Sequence, residues 1–148
     1  MSELTTKVDV TRLAIYVNKI QELSSISKVM APTYLQDYII GQDVAAGLLA
    51  KAMQADSRAK AKVEQAEAIA YLDKAKGYLE ARGIKDTSEA RKQYVNVDED
   101  VLKAKDERAG TEALVCLLKS KQSQLRQAHD DLKKITYGDQ NMTAYEGM

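Results

Sequence analysis

From Asp43 to Gly83 the chain reads DVAAGLLAKAMQADSRAKAKVEQAEAIAYLDKAKGYLEARG. The stretch has no proline and is rich in alanine, glutamate, lysine, arginine and glutamine, the residues held in a helix at least expense. A second proline-free stretch of similar length runs from Asp98 to Tyr137, with a short connector between the two. About forty residues at helical rise make a rod of roughly 60 Å, about twice the diameter of a compact domain of this size. The expectation is therefore all-α: a long antiparallel helical hairpin over residues 43–138, preceded by an N-terminal helix and a short connecting helix over residues 1–42. Residues 139–148 have little to bury and read as a flexible tail. Rods of this length leave apolar flanks that one chain cannot cover, so the hairpin is expected to assemble into a homo-oligomer.

Working outward, the N-terminal helix is predicted from Asp9 or Thr11 to about Ile26. Leu13, Tyr16, Val17, Ile20 and Leu23 recur at three- and four-residue steps and share one face. Pro32 bars Ala31 from helical geometry and can sit early in a new turn, giving a short helix over Thr33–Ile40 that Gly41 ends. Asp43 is then the N-cap of the first rod, and Arg82-Gly83 is its basic last turn and glycine stop. In the connector, Asp86 and Glu89 form a capping-box-like start to a helix through Tyr94, and Val95-Asn96-Val97 reads as a break. Asp98, Glu99 and Asp100 load the second rod's N-terminus with the charge its dipole favours, and Lys133, Lys134 and Gly138 mark its end. Ala59, Val63, Ala66 and Ala70 suit a close interhelical seam. Leu114, Leu118, Leu125, Leu132 and Ile135, with Ala128, form a coiled-coil-like stripe read here as the oligomer interface.

Composition narrows the chemistry. Of 148 residues 45% are hydrophobic, enough for a core, but there is no Phe or Trp. The 22 basic and 22 acidic side chains cancel, so attraction to nucleic acid or anionic lipid must come from local patterning. The lone Cys116 excludes an intrachain disulfide and, lying in Leu-Val-Cys-Leu-Leu, reads as a small hydrophobe. No apolar run could span a bilayer and the N-terminus lacks the basic and apolar regions of a leader, so a soluble cytoplasmic protein with no membrane partner is expected. Phosphate loops, serine elbows, zinc-protease and calcium-loop motifs are all missing. His129, the only histidine, has no metal-ligand set at helical spacing and reads as solvated or capping. Carboxylates pair with cations along one helix, for example Glu107 with Lys103 and Asp130 with Arg126, as on a solvated face. No catalytic residue, cofactor or metal site is assigned, and an enzyme is the weakest class.

The segment Tyr71-Leu72-Asp73-Lys74-Ala75-Lys76-Gly77-Tyr78-Leu79-Glu80-Ala81-Arg82 carries more information. On a helix Tyr71, Lys74, Tyr78 and Arg82 form one stripe of alternating aromatic and cationic groups. Such a stripe can neutralise phosphates while its rings stack on unpaired bases. Lys76, Lys85, Arg91 and Lys92 extend the positive character, and Arg58, Lys60 and Lys62 form an earlier cluster. The competing reading buries the tyrosine rings against a neighbouring helix with their hydroxyls wet. In a ring of copies even a weak patch would hold one strand through effective concentration.

Asp98-Glu99-Asp100-Val101-Leu102-Lys103, followed by a long amphipathic helix with Arg126, His129 and Leu132 near its end, resembles the UvsY family of phage recombination mediators. The lysine- and tyrosine-bearing stretch closed by Arg82-Gly83 is similar to that family's basic-aromatic segment, and the likeness covers roughly residues 70–136. The family's later basic-aromatic ending is reduced here to Lys133-Lys134-Ile135-Thr136-Tyr137. The resemblance implies a small helical protein that forms a ring-like oligomer and binds single-stranded DNA. It also implies that the protein helps a RecA-type recombinase replace the single-strand-binding protein. On that resemblance Lys74, Lys76, Arg82, Lys85, Arg91 and Lys92 are DNA contacts. The alternative from composition and spacing alone is a structural or adaptor protein of a phage particle or complex that does not touch nucleic acid.

Overall fold

The computed structural model describes residues 8–27 and 29–146, and all its regular elements are helical. They are α1 (Thr11–Asn18), continued by a 3-10 segment (Lys19–Ser25), then α2 (Ala31–Ile69), a π-helical segment (Ala70–Lys74), α3 (Ala75–Ala81), α4 (Ser88–Val95) and α5 (Glu99–Glu146). The 39-residue α2 packs against the 48-residue α5 as a hairpin, as the two proline-free stretches predict. The described residues divide into two compact units, one of residues up to Lys51 together with Cys116 onward, the other from Ala52 to Val115.

In the first unit α2 buries Ala31, Tyr38 and Ala45 at seven-residue intervals, and α5 buries Leu118, Leu125 and Leu132 at the same interval. Equal heptad spacing of Ala31, Tyr38 and Ala45 on one helix and of leucines on the other keeps the same faces together along both. Leu13 of α1 completes this core, and the Tyr38 hydroxyl donates to the Lys19 carbonyl at 2.9 Å. Lys19 Nζ also meets Asp37 Oδ2 at 2.7 Å, and Tyr34 donates to Glu22, so the 3-10 segment is tied to the first turns of α2.

Three sequence-based boundaries are corrected. No helix ends at Gly41 and none begins at Asp43, because α2 starts at Ala31 and runs through both. Pro32 lies in its first turn, where the missing N–H is harmless. Gly41 serves close approach: a Cβ there would stand 2.8 Å from Tyr16 Cβ and 3.1 Å from both Leu125 methyls. Gly41→Ala is expected to lower stability by about 1 kcal/mol, the overpacking outweighing the gain in helix propensity. Gly47→Ala, which meets nothing within 4 Å, should raise it by about 0.5 to 1 kcal/mol, both read by urea unfolding. Lastly, α5 does not stop before Gly138 but continues to Glu146, so the expected tail is helical there. One glycine costs a helix only about 1 kcal/mol, and no proline comes after it.

The leucine stripe is also reassigned. Leu118, Leu125 and Leu132 are buried by their own chain, Leu114 is half-buried, and Ile135 is 56% exposed. The first three fill the hairpin's own seam, so they offer no face to a second copy. Cys116, read from its apolar neighbours in sequence as a small hydrophobe, is exposed.

In the second unit Ala52, Ala59, Val63 and Ala70 are buried, with Ala75, Leu79 and Val101. Carboxylates pair across the two long helices, Glu107 with Lys62 at 3.9 Å and Glu67 with Lys105 at 3.5 Å. The expected partner of Glu107 within its own helix, Lys103, is thus replaced by one on α2. Thr111 donates to Asp56 at 2.8 Å beside them.

Candidate functional site

The eight aromatic and cationic residues read as DNA contacts lie in the second unit, on the π segment, α3, α4 and the turn between those helices, while Arg58, Lys60 and Lys62 lie on α2. Instead of one unbroken helix to Gly83, the chain widens into a π turn at Ala70–Lys74, where the Ala75 N–H donates to the Ala70 carbonyl. An extra residue in the turn rotates the downstream helix by roughly 100°, so Tyr71 and Tyr78 do not lie on one α-helical stripe. It also takes from the Tyr71 carbonyl the N–H that an α-helix would give it.

Arg91 of α4 fills that vacancy. Its Nη1 donates to the Tyr71 carbonyl at 3.1 Å, while Nε and Nη2 each donate to a different Asp86 carboxylate oxygen at 2.7 Å. The guanidinium stands 5.6 Å from the centre of the Tyr71 ring, whose hydroxyl lies 3.1 Å from Ser88 Oγ. The Arg91 bonds hold the Asp86 carboxyl below the usual carboxylate range, opposing the upward push of burial.

Farther along, α3 ends as its sequence predicts. Gly83 takes φ +66°, Ile84 N–H donates to the Leu79 carbonyl at 3.0 Å and Gly83 N–H to that of Glu80 at 3.2 Å. This paired return of N–H groups to the last turn needs a left-handed residue, which glycine supplies. The cap of α4 is Thr87, whose side chain accepts from Ala90 N–H at 3.1 Å, so Asp86 is released from capping to hold Arg91.

Tyr78 and Tyr94 pack with ring centres 4.6 Å apart, and Arg82 lies over Tyr78 at 3.8 Å. Tyr94 donates to Asp98 Oδ2 at 2.7 Å, and Lys74 reaches the same oxygen at 3.4 Å while also binding Asp100. Asp98 is 4% exposed and caps α5, its Oδ1 accepting from Asp100 N–H at 3.0 Å and Val101 N–H at 3.1 Å. Burial pushes the Asp98 carboxyl up, but bonds from Tyr94, Val101 and Lys74 outweigh it and leave the group below the ordinary carboxylate value. The Lys74 ammonium is raised above its usual value, first by its bond to Asp100.

The eight residues named for DNA contact thus separate into two sets. Tyr71, Lys74 and Tyr78 are half-buried and engaged with α4 or the start of α5, and the half-buried Arg91 of α4 is engaged with Tyr71 and Asp86. Lys76, Arg82, Lys85 and Lys92 are exposed and make no ion pair among the described residues. Sequence reasoning missed the partners Asp86, Ser88, Tyr94 and Asp98. The only signals for them were the five-residue step from Asp86 to Arg91 and the four-residue step from Tyr94 to Asp98.

Elsewhere, the half-buried His129 lies 3.4 Å from Asp130, which takes this neighbour rather than Arg126. Among the described residues no group of three or more His, Cys, Asp or Glu could hold a metal ion. No described helix is long and apolar enough to cross a membrane. Comparison of the chain with protein-family models, curated proteins and solved structures gave no match.

Proposed function

We propose that this chain is a non-enzymatic, oligomeric accessory protein that holds single-stranded DNA around the turn between α3 and α4. On the family resemblance, it assists a RecA-type recombinase against the single-strand-binding protein. The observation that carries the reading is the exposed quartet Lys76, Arg82, Lys85 and Lys92, four cations on one short supersecondary unit with no carboxylate bound to them among the described residues. Phosphates are the natural counterions for such a group, and repetition over several copies would multiply a weak contact.

Four phosphate contacts predict a log–log salt slope of about −3, or roughly fiftyfold weaker binding per site between 50 and 200 mM salt. Titration of a fluorescent oligonucleotide measures this. Lys85→Gln with Lys92→Gln should flatten the slope by about 1.4. Neutralising Lys74 is a poorer choice, because it would also disturb Asp98. No binding at low salt, or a slope untouched by the two substitutions, would sink the proposal.

The adaptor reading has its own support in this unit. Leu72 is 65% exposed beside Ala68, Tyr71 and Val95, an apolar groove edged by Lys92 and Glu67. A chain that ignores oligonucleotides at low salt would be read as this adaptor.

A further inference from the structure

We infer that α4 is a latched strap covering the aromatic part of the nucleic-acid site, and that its release exposes Tyr71 and Tyr78 for stacking on bases. The inference rests on the nucleic-acid reading above and adds how the site is controlled. Its ground is a mismatch between what α4 covers and how it is held. No residue of α4 is buried, and every residue from Glu80 to Glu89 is exposed. A segment without a core anchor opens at far lower free energy than the helices beneath it.

Polar and ring contacts hold the strap instead. Arg91 grips the carbonyl that the π turn leaves vacant, Ser88 meets the Tyr71 hydroxyl, and Tyr94 lies against Tyr78. Each touches a residue of the π segment or α3 that, uncovered, would present a ring or a backbone acceptor, and the exposed Arg82 already lies over the Tyr78 ring. Arg91 is the central member because one rigid fork serves Asp86 and Tyr71 together. Lysine keeps the charge but cannot make three directed bonds to two partners at those positions. Here Arg91 is a positioning residue, and phosphate binding belongs to the exposed quartet.

The test is Arg91→Lys in the 148-residue chain, with Glu89→Asp, at an exposed residue outside the quartet, as a second charge-conserving change on the same helix. Hydrogen exchange of the α4 amides should quicken by roughly tenfold in Arg91→Lys alone. Affinity for a short single-stranded oligonucleotide should rise by roughly fivefold at unchanged net charge, as each ring made available stacks on a base. Ser88→Ala removes only the Tyr71 hydroxyl's partner and should shift both readings the same way by less, which guards against a misfolded first variant. Unchanged exchange in α4 would overturn the latch, whatever the oligonucleotide does. Faster exchange with equal or weaker binding would overturn the masking while leaving the wild-type DNA site standing. Absence of binding by wild type and variants alike would remove the nucleic-acid reading and the masking together.

Discussion

Leu125→Ala is expected to destabilise the fold by about 2 to 5 kcal/mol and to lower the melting temperature by roughly ten degrees. Leu125 is fully buried at the middle of the heptad seam in the first unit, and both its methyls lie over Gly41 where Tyr16 also crosses. Removing the isobutyl group loses its transfer free energy and leaves a gap between rigid helices that can close only in part. Circular dichroism during urea unfolding reads the loss. The same contact predicts coupling: Gly41→Ala should be less damaging in the Leu125→Ala background, since the new methyl enters the space the leucine vacated. Equal penalties in both backgrounds would show that Tyr16 alone sets the limit at Gly41. A side chain engaged only between copies would instead show a concentration-dependent loss, because dissociation and not unfolding would be the event measured.

The parts of this fold legible in the sequence are those set by local rules. Two proline-free stretches, the first rich in alanine, gave the two long helices, the glycine after Arg82 gave the end of α3, and Asp98 to Asp100 gave the start of α5. What local rules missed was decided by contact. Gly41 resembles a helix stop until the neighbouring Tyr16 and Leu125 show why only a hydrogen fits there. The leucine stripe of α5 shows that it must be covered but not by what, and α2 of the same chain covers Leu118, Leu125 and Leu132. At the candidate site the composition was readable and the pairing was not. A π turn has no sequence signature comparable to proline or glycine, and it rearranged the Tyr and Lys stripe into a folded set and an exposed set. Asp86, Tyr94 and Asp98 look like ordinary connector residues until Arg91 and Lys74 are seen to reach them.

Asp98→Ala is expected to cost about 2 to 4 kcal/mol, more than loss of a helix cap alone. The carboxylate accepts two backbone N–H groups at the start of α5, the Tyr94 hydroxyl and the Lys74 ammonium, all while almost wholly buried. Alanine leaves Tyr94 without its acceptor and the α5 N–H groups uncapped, while Lys74 keeps Asp100. Asp98→Asn separates these terms, since asparagine caps a helix about as well as aspartate but brings no charge to Lys74. The pH dependence has a definite sign. The folded carboxyl titrates below its unfolded value of about 3.9, so its contribution is full above that pH and is lost as pH falls through the folded value. The stability difference between wild type and Asp98→Asn should therefore be largest near neutrality and shrink in acid below about pH 4. Asp86, also depressed by its cation, is common to both proteins and cancels in that difference. A difference that stays constant from pH 7 to pH 3 would mean that the charge on Asp98 does not contribute and that its hydrogen-bond geometry alone holds α4 and α5 together.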